Sequence, residues 1–115
     1  MNSVTLIGNL ATDVELRDVG DDKKVANFLL AVDRPAADSD ADFVRITAWN
    51  RQAEVCAQFL ASGRRVAVEG RLRTSSWEDE DGKKRTAVEV VARSVEFLSP
   101  PSREGADIPF ESATV

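Results

Sequence analysis

The residues with the clearest chemical potential form a short alternating stretch, Phe43-Val-Arg-Ile-Thr-Ala-Trp49. Successive side chains of an extended strand point to opposite faces, so Phe43, Arg45, Thr47 and Trp49 share one face and Val44, Ile46 and Ala48 the other. The second set is apolar and reads as a core face. The first places flat rings on either side of a cation and a hydroxyl. Such rings accept unpaired nucleobases by stacking, at about 1–3 kcal/mol per base whatever the base. An arginine between them neutralises a phosphate and releases its counterion. The same rings would also suit a subunit interface or a site beneath a loop.

A second alternating run lies downstream, from Arg65 to Trp77. Val66, Val68, Gly70 and Leu72 are expected inward, and Ala67, Glu69, Arg71 and Arg73 outward. Arg71 and Arg73 either extend the basic track beside Arg45 or lie on an ordinary solvated face. Glu69 interrupts the track and is expected to pair with an arginine. Trp77 sits at the root of a hairpin, where it either stacks a base or anchors the hairpin to the body of the fold. At the tip, Lys83, Lys84 and Arg85 follow the acids of Glu78-Asp-Glu-Asp81, which favours a solvated turn over a basic clamp.

Composition removes much of catalysis. The chain has no histidine and one cysteine, so Ser-His-Asp and Cys-His arrangements and the usual zinc sites are absent. No Gly-rich phosphate cradle of the GxGxxG or GxxxxGK type occurs. No cofactor or metal is expected, and the protein is read as a binder and not an enzyme. An enzyme working through carboxylates such as Glu69 and Glu89 is the weakest reading, because it needs a concave pocket and a small barrel is filled by its own side chains. Cys56 falls on the apolar side of a helix-period segment and reads as a core residue. A lone cysteine, the lack of a signal-peptide pattern and the lack of a long apolar run together suggest a cytoplasmic protein.

The formal net charge is −5, which by itself argues against a polyanionic partner. Its distribution argues otherwise. Residues 11–42 carry nine acids and four bases, whereas residues 45–73 carry six arginines against Glu54 and Glu69, a local balance of +4. Screening confines a phosphate to its neighbourhood of about 8–10 Å, so the local patch decides.

These residues need a scaffold, and the hydrophobic periods supply one. Period-two alternation marks strands near Val4–Leu10, with a bend around Gly8–Leu10 and a continuation over Asp13–Arg17, then Val25–Arg34, Asp42–Asn50, Arg65–Trp77 and Arg85–Leu98. Alternation slips at Arg93–Ser94, which predicts a bulge. Asp81-Gly82 predicts a tight hairpin. Ala53, Cys56, Phe59 and Leu60 recur at helical spacing over Gln52–Ser62, with Gly63 as the expected C-cap. Five strands with one helix between the third and fourth is the layout of an OB-fold, an all-β, five-stranded Greek-key barrel. The fold is expected over residues 1–98, and the Pro/Ser-rich residues 99–115 are expected to be a short disordered tail.

The stretches NSVTLIGNLATDVELR, VANFLLAV, DFVRITAWNRQAEVCAQFL and GRRVAVEGRLRTSSWEDEDGKKRTAVEVVARSVEFL resemble the bacterial single-stranded DNA-binding protein family. The resemblance covers residues 1–98. It implies a homotetramer over which single-stranded DNA is wrapped, with roles in DNA replication, recombination and repair. It places stacking positions at Phe43, Trp49 and Trp77 and basic positions at Arg45, Arg51 and Arg73. Single-stranded RNA is also a conceivable ligand, since stacking does not read the 2′-OH. The chief alternative is an OB module that assembles replication proteins and binds DNA weakly.

The chain also departs from the family pattern. Arg34-Pro35-Ala36 stands where many members carry another tryptophan, and Ser75-Ser76 replaces basic residues before Trp77; both imply weaker binding or a shorter wrapped length. The family's acidic tip ends in Pro-Phe and docks replication and repair enzymes. Here Asp107, Ile108, Pro109 and Phe110 are followed by five more residues, which implies a weakened docking hook.

Overall fold

The computed structural model describes residues 1–35 and 40–98. The chain order is β1 (Val4–Leu10), β2 (Glu15–Gly20), β3 (Lys23–Asp33), β4 (Ala41–Trp49), α1 (Asn50–Phe59), β5 (Arg65–Glu78) and β6 (Lys84–Phe97). The sheet runs β1-β5-β6-β4-β3-β2, and a further β1–β3 pairing closes the first five of these into a ring. Every pairing is antiparallel except β4 with β6. This is the expected OB-type barrel with one change of count. The first predicted strand is divided, so the helix follows the fourth strand and not the third.

The division has a simple cause. Strand β3 is 11 residues long, and its free edge is covered by two partners in turn. Leu10 and Asn9 of β1 lie opposite Leu30 and Ala31, and Glu15 to Asp18 of β2 lie opposite Asn27 to Lys24. Between them the chain must leave one partner and rejoin, and it does so at residues 11–14, just after the predicted bend. Gly8 makes the crossing possible. A Cβ there would press into the Ala31 carbonyl oxygen and into Leu30, so only glycine lets β1 reach β5 and β3 together.

The inward faces meet in one core of Leu10, Ala26, Phe28, Leu30, Ile46, Ala48, Val66, Val68 and Val90, and α1 adds Ala53 and Cys56, with Leu60 just beyond it. Burial pushes the Cys56 thiol up to about 11, so it stays protonated and serves as packing. Three local expectations are corrected. The helix spans Asn50–Phe59, begins two residues early and stops three residues early, because Leu60 takes an extended conformation and turns into the core. Gly63 is therefore not the C-cap. It sits in the following turn at φ +94°, where its N–H donates to the Leu10 carbonyl. Leu72 is 44% exposed, not inward. Strands β5 and β6 are 14 residues each and outrun the barrel: Leu72 lies opposite Val90, the last buried residue on that side, and the next inward position, Val88, is 54% exposed, so Leu72 stands at the end of the core. There the Asn2 side chain hydrogen-bonds both the N–H and the C=O of Leu72 at 2.8 Å and continues the ladder.

The predicted bulge is present. Glu69 lies opposite Ser94 and Gly70 opposite Ala92, which leaves Arg93 as the extra residue. Its carbonyl accepts from Gln52 of α1 at 3.0 Å, and its guanidinium reaches Glu69 at 2.9 Å, the arginine partner expected for that acid. The hairpin turn is stabilised by Asp79, whose carboxylate accepts from the Asp81 and Lys83 N–H groups and from Arg85 Nε. The hydrogen bond from Arg85, helped by those from the backbone, holds the Asp79 carboxyl below its usual range.

Candidate nucleic-acid interface

Residues of β2 and the outer faces of β3, β4, β5 and β6 enclose an open groove of about 390 Å³. Strand β4 runs along its floor and contributes Arg45, Thr47 and Trp49. The β5–β6 hairpin gives one wall, with Arg73, Ser75, Trp77, Ala87 and Glu89; the other wall includes Arg17, Val25 and Asn27. The long hairpin matters here, because it carries Trp77 past the barrel rim to the same groove that receives Trp49. Trp77 is half-exposed and Trp49 is partly buried, so both indoles present area to an occupant. Arg45 also lines a second groove of about 310 Å³, with Thr12, Glu15 and Leu29, and thus stands at the junction of the two.

The seven sequence-predicted positions divide into two groups. Arg45, Trp49, Arg73 and Trp77 share the groove. Phe43 lies on the same strand face but beyond the groove, about 20 Å along β4 from Trp49 at the usual rise per residue. It is 63% exposed, a large ring with little to cover it. Arg71 is exposed beside Val91 of β6, outside the groove lining, and Arg51 is exposed on the first turn of α1. Asp107, Ile108, Pro109 and Phe110 lie outside the described residues.

Sequence reading missed the hydrogen-bonded network that crosses the groove. Asn27, Thr47 and Glu89 form a hydrogen-bonded chain with an arginine at each end. Arg17 Nη2 donates to Asn27 Oδ1 at 3.3 Å, and Asn27 Nδ2 donates to Thr47 Oγ1 at 2.9 Å. The Thr47 hydroxyl donates to Glu89 Oε1. Arg73 donates to Glu89 Oε2 through Nε at 2.9 Å and through Nη2. The chain steps across β2, β3, β4, β6 and β5, each the sheet neighbour of the next. Thr47 is 2% exposed. Burial alone would raise the Glu89 carboxyl, but the hydrogen bonds from Thr47 and Arg73 and the charges of Arg73 and Arg45 outweigh it and hold it below the usual carboxylate range. Glu89 was visible in the sequence as an acid on an alternating strand. What pointed to Arg73 was the hairpin register, which sets residue 73 opposite residue 89.

A closed small barrel with one helix between its fourth and fifth strands and an aromatic, cationic groove across its strands defines an OB-fold domain whose groove side chains are of the kinds that contact a flat, anionic, extended ligand. The single-strand binding protein family matches residues 1–98, and the chain belongs to that family. Among similar curated proteins, a single-stranded DNA-binding protein 2 of Listeria innocua is 42% identical over 111 residues, covering 92% of this chain and 70% of that protein. Single-stranded DNA-binding protein A of Bacillus subtilis is 40% identical over 110 residues, covering 92% and 64%. The corresponding protein of Halalkalibacterium halodurans is 40% identical over 104 residues, covering 87% and 62%. The chain thus spans about two thirds of the length of these relatives.

Proposed function

We propose that the protein binds single-stranded DNA without sequence preference and protects it during replication, recombination and repair. The observation that carries this reading is the shared groove of Trp49 and Trp77, with Arg17, Arg45 and Arg73 around it. Stacking supplies affinity that is indifferent to base identity, and the arginines supply salt-dependent attraction to phosphates. Phe43, Arg51 and Arg71, exposed beyond the groove, extend the path a longer strand would follow. A duplex keeps its base faces covered by stacking and is excluded from the ring contacts. Family membership supports this reading over a module that only assembles other proteins.

Titration of the intrinsic tryptophan fluorescence with oligo-dT tests the proposal. Strong quenching by oligo-dT and little by duplex DNA at equal nucleotide concentration is expected. Quenching that is absent even at low salt would reject stacking on Trp49 and Trp77.

The same reading includes a homotetramer. Ile7, Phe59, Phe97 and Leu98 are exposed apolar residues away from the groove, and Phe59 and Phe97 pack together with ring centres 6.3 Å apart. Association would cover them. Sedimentation equilibrium is expected to give four chains per particle, and a monomer at micromolar concentration would overturn this part. The segment Asp107–Phe110 is proposed as a weak docking element for replication and repair proteins, and the cytoplasm, at the nucleoid, is the proposed location. Among the described residues no helix is long and apolar enough to cross a membrane.

A further inference from the structure

Glu89 is out of place in a groove for a polyanion. It lies among the arginines that should attract phosphate, and it reduces the formal charge of the groove's Arg17, Arg45 and Arg73 from +3 to +2. It is also fixed there. Its side chain is 16% exposed, one oxygen is held by the buried Thr47 hydroxyl, and Thr47 is itself held by Asn27. Arg73 is the freer partner, at 40% side-chain exposure. Both Nε and one terminal nitrogen of Arg73 are spent on the carboxylate, which are the donors an arginine turns toward a phosphate in a two-point contact.

We propose that Glu89 is an internal competitor of DNA phosphate for Arg73, a positioning residue that holds the affinity of the groove below what its arginines alone would give. The proposal rests on the groove being the single-stranded DNA site. In the free protein the carboxylate occupies the guanidinium. On binding, a backbone phosphate takes over donors from Glu89, and when the strand leaves, the carboxylate reclaims them. Because the displaced Glu89 carboxylate stays beside the phosphate, the local charge balance is that of a site without the arginine, the phosphate keeps its condensed cation, and Arg73 contributes little to the salt dependence of binding. The buried threonine anchor keeps the competitor from swinging away, so the competition is a fixed property of the groove and not a chance surface pair.

The test is a double-mutant cycle of Glu89→Gln and Arg73→Gln, with oligo-dT affinity read by tryptophan quenching over a salt series. Glutamine keeps a carbonyl oxygen for Thr47 or Arg73 and removes the charge. Glu89→Gln is expected to bind about threefold tighter or more at low salt, with a slope of log K against log salt steeper by about 0.7, the value for one more phosphate counterion released from a single strand. In the Arg73→Gln background the same change is expected to alter the slope little. Weaker or unchanged binding of Glu89→Gln overturns the proposal, and so does an equal gain without Arg73, which would mean general repulsion.

A measurement on the parent protein removes dependence on the variants' folding. The Arg73 Nε–H resonance is expected to shift on adding oligo-dT as its acceptor changes; a resonance that stays in place while DNA binds overturns the exchange. A parent that does not bind oligo-dT rejects the DNA site itself, whereas a parent that binds with Glu89→Gln unaltered rejects only the competition.

Discussion

Replacing Trp49 by alanine is expected to weaken oligo-dT binding by about 5- to 150-fold, the equivalent of the roughly 1–3 kcal/mol that one stacked base contributes. The salt slope should stay near that of the parent, because an indole releases no counterion. Arg45→Ala should behave in the opposite sense, losing less affinity at high salt and flattening the slope by about 0.7. The contrast follows from position. Trp49 is partly exposed to the groove, and its backbone is extended at φ −122°, ψ 147°, a conformation alanine adopts without strain. The fold should therefore survive the substitution, which circular dichroism would check. Arg45 sits at the junction of the two grooves, next to the path of any strand that continues from Trp49 toward Phe43. Identical salt slopes in both variants and the parent would refute this division between rings and cations.

Gly70→Ala is expected to destabilise the protein by about 3 kcal/mol, at the upper end of overpacking costs. A Cβ at this position would overlap the Val91 carbonyl oxygen and crowd the Ala92 Cα. Both obstacles are backbone, so no flexible side chain can move aside. The strand would have to separate from β6 at the bulge, where Arg93 is the extra residue and where Gln52 of α1 ties the helix to the sheet. For a domain of this size each kcal/mol shifts the melting temperature by about 4–8 °C, so a fall of about 12–24 °C is expected. Ser76→Ala, exposed further along the same strand, should cost no more than about 0.5 kcal/mol at the same protein concentration. A Gly70→Ala protein melting within a few degrees of the parent would show that β5 and β6 are not so close at the bulge.

The same glycine shows how far a linear reading reaches. Gly70 occupies an inward position of an alternating strand, and alternation says no more of it than that. That the obstacle is the carbonyl of Val91 depends on the one-residue shift opposite Glu69, a property of the pair of strands. Glu89 makes the point more sharply. As a residue of β6 it alternates outward with Ala87 and Val91, which its own neighbours specify. Its meeting with Arg73 comes from the hairpin register, and its meeting with Thr47 comes from the parallel pairing of β4 with β6, two elements separated by a helix and a long strand.

Local chemistry thus determined the strands, the helix, the hairpin and the bulge, because period-two alternation, helical spacing, Asp-Gly and a slipped alternation each act within a few residues. It also determined which residues of β4 face outward, and through them three side chains of the groove, Arg45, Thr47 and Trp49. The tertiary structure decided that the first strand divides to serve two stretches of one edge, that Leu72 stands half-exposed at the end of the core, and that Arg51 and Arg71 stand outside the groove. It also decided that a continuous chain of hydrogen bonds crosses the groove from Arg17 to Arg73. Each of these depends on which strands lie side by side and in what register. Pairing energy is summed over residues far apart in the chain, so a single stretch of sequence specifies the face of a side chain but not its partner.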